Sequence, residues 1–300
     1  MKTSYFLPLV LVTLLMASCQ NTPRYPEPKH IVLIGFDGMS SQSLRETGDT
    51  LMPFYRSLMA RGSYALHKRS VLPSSSACNW ASLFMGAGPE QHGYNTWGSR
   101  QPDFPSDTLT EHGFFPDFYY QLKQRRPEAR VDHFYEWDGI HYVVDTLSVD
   151  HDQQFAADKG ELTDVIGHLV SDKPLVTTIV FDHPDHEGHG SGWLSADYFA
   201  AENLMDSYLK QIYEAVEQAG MLDEMLFVLT SDHGGTGRGH GSTSMAEMEA
   251  PVVFVGPGIK QDYEIQCTVS ISDVIPTLSI MLGLDRPHCW TGRPIMEIFE

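Results

Sequence analysis

Four short runs of nearly unbroken apolar residues divide the chain, and a loop of glycine, proline or aspartate follows each. They are His30-Ile31-Val32-Leu33-Ile34-Gly35-Phe36, Leu175 to Phe181, Met225 to Thr230 and Pro251 to Val255. None alternates apolar and polar residues as a half-wet strand does, so each reads as a strand buried on both faces. Ser63 to Val71 and Val131 to Tyr135 add two more stretches of strand character. Between them lie helical patterns: Leu51 to Arg61 with Pro53 in its first turn and Gly62 beyond its end, Asn79 to Met85, Phe115 to Arg125, and Leu162 to Ser171. The longest, Ser195 to Ala219, carries Leu204, Tyr208, Ile212 and Val216 as an apolar stripe and stops at Gly220, and Asp273 to Leu282 closes the series. Gln91 to His112 reads as loop. Strands alternating with helices predict an α/β fold, a mostly parallel central sheet with helices on both faces. In such sheets sites form at the carboxyl ends of the strands.

The chain has 300 residues, 42% of them apolar and 11% aromatic, enough to bury the core of one large domain. Its formal charge of -19, with 20 basic against 39 acidic residues, excludes a nucleic-acid partner held through its backbone. The first residues read as an export signal, with Lys2 as the charged start and Phe6 to Met16 as an apolar core. Met16-Ala17-Ser18-Cys19 resembles a bacterial lipoprotein signal. It implies removal of residues 1–18, a lipid on Cys19, a tether over 19–29, and an exported domain over 30–300 held at a membrane in the periplasm or at the cell surface. Ordinary signal-peptidase cleavage is the alternative. Cys267 and Cys289 are a candidate disulfide, whereas Cys78 reads as packed beside the serine turn.

That turn, Leu72-Pro73-Ser74-Ser75-Ser76-Ala77-Cys78-Asn79-Trp80, opens a helix-like run, where a hydroxyl meets unpaired N–H groups and the positive end of the dipole. Alone it is an ordinary N-cap. The carboxyl-end loops, however, also offer Asp37, Asp185 with His189, Asp232 with His233, and His240. Three aspartates and three histidines at one sheet edge suit two borderline-soft cations such as zinc, with manganese also accepted by the same ligands.

In order along the chain, Phe36-Asp37-Gly38, Pro73-Ser74-Ser75-Ser76-Ala77-Cys78-Asn79, Gly86-Ala87-Gly88-Pro89-Glu90-Gln91-His92-Gly93, Pro184-Asp185-His186-Glu187-Gly188-His189-Gly190, Ser231-Asp232-His233-Gly234 and Gly239-His240-Gly241 resemble the alkaline phosphatase superfamily. Its type I phosphodiesterase and nucleotide pyrophosphatase family is the nearest branch. The resemblance implies that Asp185, His189 and His240 hold one zinc, and that Asp37, Asp232 and His233 hold the other together with the oxygen of Ser76. It further implies a covalent phosphoseryl intermediate on Ser76, with Asn79 donating its amide to a phosphate oxygen and Ser74 and Ser75 left as caps. The implied substrate is a small-molecule phosphate ester, a phosphodiester or nucleotide-type pyrophosphate. A phosphomonoesterase, a phosphoethanolamine-type transferase, a sulfatase and a non-catalytic metal-stabilised binding lipoprotein are the alternatives.

The departures bear on substrate. The nucleotide pyrophosphatases usually carry threonine at the position of Ser76, proline at Cys78 and histidine at Trp80, while sulfatase maturation needs arginine at Asn79. Trp80, Tyr94, Trp97, Trp137 and Tyr142 are candidates for lining a leaving-group pocket. His92 reads as structural, His183 and His186 as neighbours supporting the metal ligands or as solvated loop residues, and the isolated Arg100 and Arg238 form no second phosphate clamp.

Overall fold

A computed structural model describes residues 25–300, so the export signal and Cys19 lie outside the described residues. Eight strands form one sheet: β1 His30–Phe36, β2 Ser63–Arg69, β3 Val131–Tyr135, β4 His151–Gln154, β5 Val176–Phe181, β6 Met225–Thr230, β7 Glu249–Val255 and β8 Tyr263–Glu264. Their spatial order is β4-β3-β5-β1-β6-β7-β2-β8. Strands β4, β3, β5, β1 and β6 pair in parallel, and β7 alone runs against its neighbours β6 and β2. The expected mostly parallel α/β sheet is present.

Alternation along β1 divides the core in two. Ile31 and Leu33 pack with residues of helices Ser76–Met85, Phe118–Arg125 and Val274–Met281. Val32, Ile34 and Phe36 pack with residues of Pro53–Met59, Leu162–Asp172 and Ala196–Gln218. Helices therefore cover both faces, which is why the central strands are apolar throughout. The polar run His151–Gln154 and the two residues of β8 escaped the sequence reading because they are edge strands, where burial imposes no apolar pattern. The Tyr142 segment is a 3-10 turn, Asp138–Val143, and Gln91 falls in a single helical turn, Pro89–His92.

The long helix buries a different stripe from the one its leucines suggest. Leu204 is exposed, while Tyr198, Ala201, Met205, Leu209, Ile212 and Val216 are buried. Three successive four-residue steps drift by about 120° around a helix of 3.6 residues per turn, so Leu204 and Val216 cannot share a face. Two acids occupy the true face. Asp206 accepts from the N–H groups of Phe54 (3.0 Å) and Tyr55 (2.6 Å), closing the start of helix Pro53–Met59. Glu202 is buried and accepts the Ser43 hydroxyl.

Cys267 and Cys289 are free thiols, so the candidate disulfide is absent. Among the described residues, no helix is long and apolar enough to cross a membrane.

Burial pushes the Glu202 carboxyl up to about 8, so the folded state retains a proton that the unfolded state releases near 4.5. This stabilisation is fully present below about pH 4.5 and is lost as pH rises through 8. In urea titrations across this range, the parent is expected to lose on the order of 3 kcal/mol more stability than Glu202→Gln.

Candidate active site

Four strand ends converge on one edge. β1 runs into Asp37, β2 into the serine turn, β5 into the loop before Asp185, and β6 into Asp232 and His233. The reversed β7 begins at this edge, so the segment feeding it brings back His240. Asp185, His189 and His240 form one group whose ligand atoms all lie within 4.8 Å of one another, and Asp37, Asp232 and His233 form a second.

Within the first group, His189 Nε2 lies 3.3 Å from Asp185 Oδ2 and His240 Nε2 3.7 Å from Asp185 Oδ1. Within the second, His233 Nε2 lies 3.2 Å from Asp232 Oδ2 and 3.6 Å from Asp37 Oδ1. Ser76 Oγ sits 3.1 Å from His233 Nε2 and 3.4 Å from Asp37 Oδ1. The helix starts at Ser76 itself, three residues before the predicted Asn79, which puts the hydroxyl in the first turn.

Backbone carbonyls set the imidazole tautomers. His189 Nδ1 donates to Arg238 O (3.0 Å), His240 Nδ1 to Ser74 O (3.0 Å) and His233 Nδ1 to Gly234 O (2.8 Å). Each Nε2 is left as an inward lone pair, the arrangement of metal-ligating histidines. His189 and His240 bring these nitrogens within 3.1 Å of each other. Two lone pairs so close repel unless a cation or proton lies between them. The buried oxygens Asp185 Oδ1 and Asp232 Oδ2 have no hydrogen-bond partner, an arrangement that costs about 1–3 kcal/mol per atom when nothing binds there. Both observations fit two divalent cations.

The electrostatics agree. Burial, then the neighbouring carboxylates, holds Asp37 well above the usual range, and burial does the same to Asp232. Burial pushes His233 down to about 3 and also lowers His240. Burial raises Asp185, but His189 and the surrounding imidazoles, in their protonated forms, outweigh it and hold the carboxyl low. A third acidic group, Asp132, His168 and Asp172, already has its cation. Arg130 donates to Asp132 Oδ1 at 2.8 Å and pairs with Asp172 at 2.6 Å, at the opposite edge of the sheet.

Four expectations change here. Asn79 is fully buried and its amide is taken up by the turn: Nδ2 donates to Pro73 O (3.1 Å) and Ser75 O (2.9 Å), while Oδ1 accepts from Val71 N (2.7 Å). It shapes the serine loop instead of meeting a phosphate. Ser75 occupies the N-cap without a side-chain capping bond, so no hydroxyl seals the first-turn N–H groups. Ser74 instead ties the His240 segment, donating to Ser242 O (2.7 Å) and accepting from Gly241 N (3.2 Å). Trp80 is buried and lines no pocket: its Nε1 donates to Asp37 Oδ2 at 2.9 Å, and a Cβ on Gly35 would lie 2.3 Å from its ring.

Several supporting residues gave no sequence signal. Trp193 Nε1 (3.0 Å) and Tyr198 Oη (2.8 Å) both donate to Gly38 O, fixing the Asp37 loop. Gly38 has φ +68, and a Cβ there would come within 2.7 Å of Asp185, so only glycine lets the two loops meet. Lys68 is fully buried and donates to Ser231 O at 2.7 Å, behind Asp232. His92 is structural as expected, 2.9 Å from Ser82 Oγ and accepting from Tyr94 N. His183 pairs with Glu187 at 2.6 Å.

Comparison with known proteins gives consistent results. Residues 31–245 match the family model described as type I phosphodiesterase / nucleotide pyrophosphatase. A GPI ethanolamine phosphate transferase 2 of Aspergillus oryzae is 33% identical over 128 residues, covering 38% of this chain and 15% of the transferase. A venom phosphodiesterase of Macrovipera lebetinus is 23% identical over 233 residues, covering 73% of this chain and 27% of the snake protein. The chain thus spans under a third of the length of either relative. Murine ectonucleotide pyrophosphatase / phosphodiesterase 5, an inactive variant in complex with AMP, superposes with a TM-score of 0.70 at 13% identity, covering 91% of this chain and 100% of that one. At that identity the likeness establishes the fold.

Trp80→Phe removes the donor to Asp37 and leaves a cavity beside Gly35, whose cost is read separately as lost stability in urea. Zinc affinity at the Asp37, Asp232 and His233 group is expected to fall about tenfold by isothermal titration, with the other group unchanged.

Proposed function

This chain belongs to the type I phosphodiesterase / nucleotide pyrophosphatase family, and from that membership we propose a metal-dependent hydrolase that cleaves phosphate esters, diesters first, through Ser76. One observation carries the reading. The Ser76 hydroxyl lies against the Asp37, Asp232 and His233 group, while Asp185, His189 and His240 form a second ligand set beside it. Bound at the two groups, divalent cations, zinc by the nitrogen-rich ligand set, would supply Lewis-acid neutralisation of the phosphate and favour the ionised form of Ser76.

The chain's own residues do the rest. Ser76 Oγ attacks phosphorus, the bond to the leaving-group oxygen breaks, and a phosphoseryl ester is left for water to cleave. The first turn of helix Ser76–Met85 has no side-chain cap and, apart from Ala77 N, which Trp97 O takes, its N–H groups would favour the negative charge that develops on the phosphoryl oxygens. Trp80, Ser74 and Gly38 hold the ligands in place through Asp37, the His240 segment and the Asp185 contact.

A second reading is transfer of a phosphoethanolamine-type group to an alcohol in place of water. The similarity to the GPI ethanolamine phosphate transferase favours it. On either reading we place the domain at a bacterial membrane through a lipid on Cys19, after export directed by residues 1–18.

A panel of a phosphate diester, a monoester and a sulfate ester with a common leaving group tests the assignment, with metal content measured on the same sample. The expected order is diester first, with about two zinc per chain. Ser76→Ala is expected to lower turnover by at least about a thousandfold while keeping both metals. Full activity in that variant, or a protein without transition metal, refutes the mechanism. Two bound zinc ions without cleavage of any ester point instead to a binding lipoprotein.

A further inference from the structure

Trp97 is the most exposed tryptophan side chain described, 67% accessible, and it is not loosely placed. Its ring stacks on Trp137, with centroids 6.4 Å apart and planes 21° from parallel. Trp137 in turn lies flat over Gly139, where a Cβ would come within 2.2 Å of the indole. The backbone carbonyl of Trp97 accepts from Ala77 N at 3.1 Å, one residue beyond the nucleophile, and Cys78 Sγ donates to the neighbouring Thr96 O. Gly139, Trp137 and Trp97 thus form a layered aromatic shelf fastened to the start of the nucleophile's helix. Open space adjoins it, since a Cβ on Gly98 would meet nothing within 4 Å.

The surroundings select the ligand's charge. Arg100, the nearest cation in sequence, is engaged: it pairs with Asp138 at 2.7 Å and lies 4.8 Å over the Tyr142 ring. Its guanidinium is therefore not free to meet a second phosphate beside the shelf. Asp103 accepts Ser99 Oγ and Asn95 N within the same loop, and the whole chain carries -19. An indole face presents negative quadrupole to whatever lies on it, and tryptophan is the best aromatic partner for a cation. A net negative protein raises the local concentration of cations at such a face.

We propose that the Trp97–Trp137 shelf is a specificity site that receives the ammonium head of an amino-alcohol leaving group, such as a choline-like quaternary amine. This rests on the hydrolase reading only for the term "leaving group"; binding of the cation is independent of turnover.

Choline and its uncharged isostere 3,3-dimethylbutan-1-ol separate cation recognition from hydrophobic contact in the full-length protein. Choline is expected to quench tryptophan fluorescence saturably, with the neutral isostere binding at least about fivefold more weakly. Trp97→Ala, an exposed change that keeps the backbone bond to Ala77, is expected to weaken choline about fivefold, and Trp97→Phe to restore part of that loss. For a choline phosphodiester, Trp97→Ala is expected to raise KM with kcat little changed. Equal binding of the isostere, tighter binding of adenosine than of choline, or no effect of Trp97→Ala overturns the proposal. Choline binding that depends on Trp97 in a protein without esterase activity would leave the shelf standing and defeat the hydrolase reading instead.

Discussion

Three carboxylates and three imidazoles share a small, largely dry volume at the end of the sheet, and like charge in such a volume must be neutralised. Asp37 and Asp232 are buried, and Asp232 Oδ2 and Asp185 Oδ1 lack partners. Water cannot relieve them and, apart from Lys68 behind Asp232, no buried ammonium or guanidinium stands beside them among the described residues. Cations from outside are the simplest solution, and the surrounding structure is arranged to receive them. The carbonyls of Ser74, Gly234 and Arg238 turn the three histidines inward, Trp80 and Gly38 N orient Asp37 and Asp232, and Trp193 and Tyr198 pin the loop between them. Each supporting contact has meaning only if the centre is filled.

The topology makes that concentration possible. Parallel strands deliver their carboxyl ends to one edge, so ligands far apart in sequence meet without long excursions. The reversal at β7 adds what a purely parallel sheet would lack, a return segment across the top of the site that carries His240 and closes over Ser74. Near the end of the chain, Gly292 N donates to Gly86 O at the end of helix Ser76–Met85, and Arg293 N to Asp273 Oδ1 at the start of helix Val274–Met281.

The central strands and the gathering of Asp37, Asp185, His189, Asp232, His233 and His240 at one edge were legible in the sequence, because burial on both faces leaves an unbroken apolar signature and most of these residues sit where those signatures stop. What was not legible followed equally physical rules. Edge strands β4 and β8 carry no burial pattern. The buried face of Ala196–Gln218 was masked because Glu202 and Asp206 occupy it with hydrogen bonds no hydropathy scale registers. Asn79 has the right type and spacing for a phosphate donor, yet local carbonyls at 2.9 and 3.1 Å claim its amide first, a competition that only coordinates reveal. Trp80 misled in the opposite sense: a large aromatic beside the nucleophile suggested a pocket wall, while its indole N–H is turned inward and holds the Asp37 carboxylate.

The bond between His240 Nδ1 and Ser74 O joins residues 166 positions apart, and His233 reaches Ser76 across 157. Contacts of such sequence separation form late in folding, because the chain entropy between them must be lost first. The pocket therefore waits on the sheet, in which β1 and β6 pair His30 with Met225 across a still longer stretch of chain. A partly folded chain holds these carboxylates and imidazoles apart, and the two groups are complete only when the β7 reversal is in place. An ion bound there would act as a latch on the finished topology, favouring the one chain path that brings the two ends of the site together.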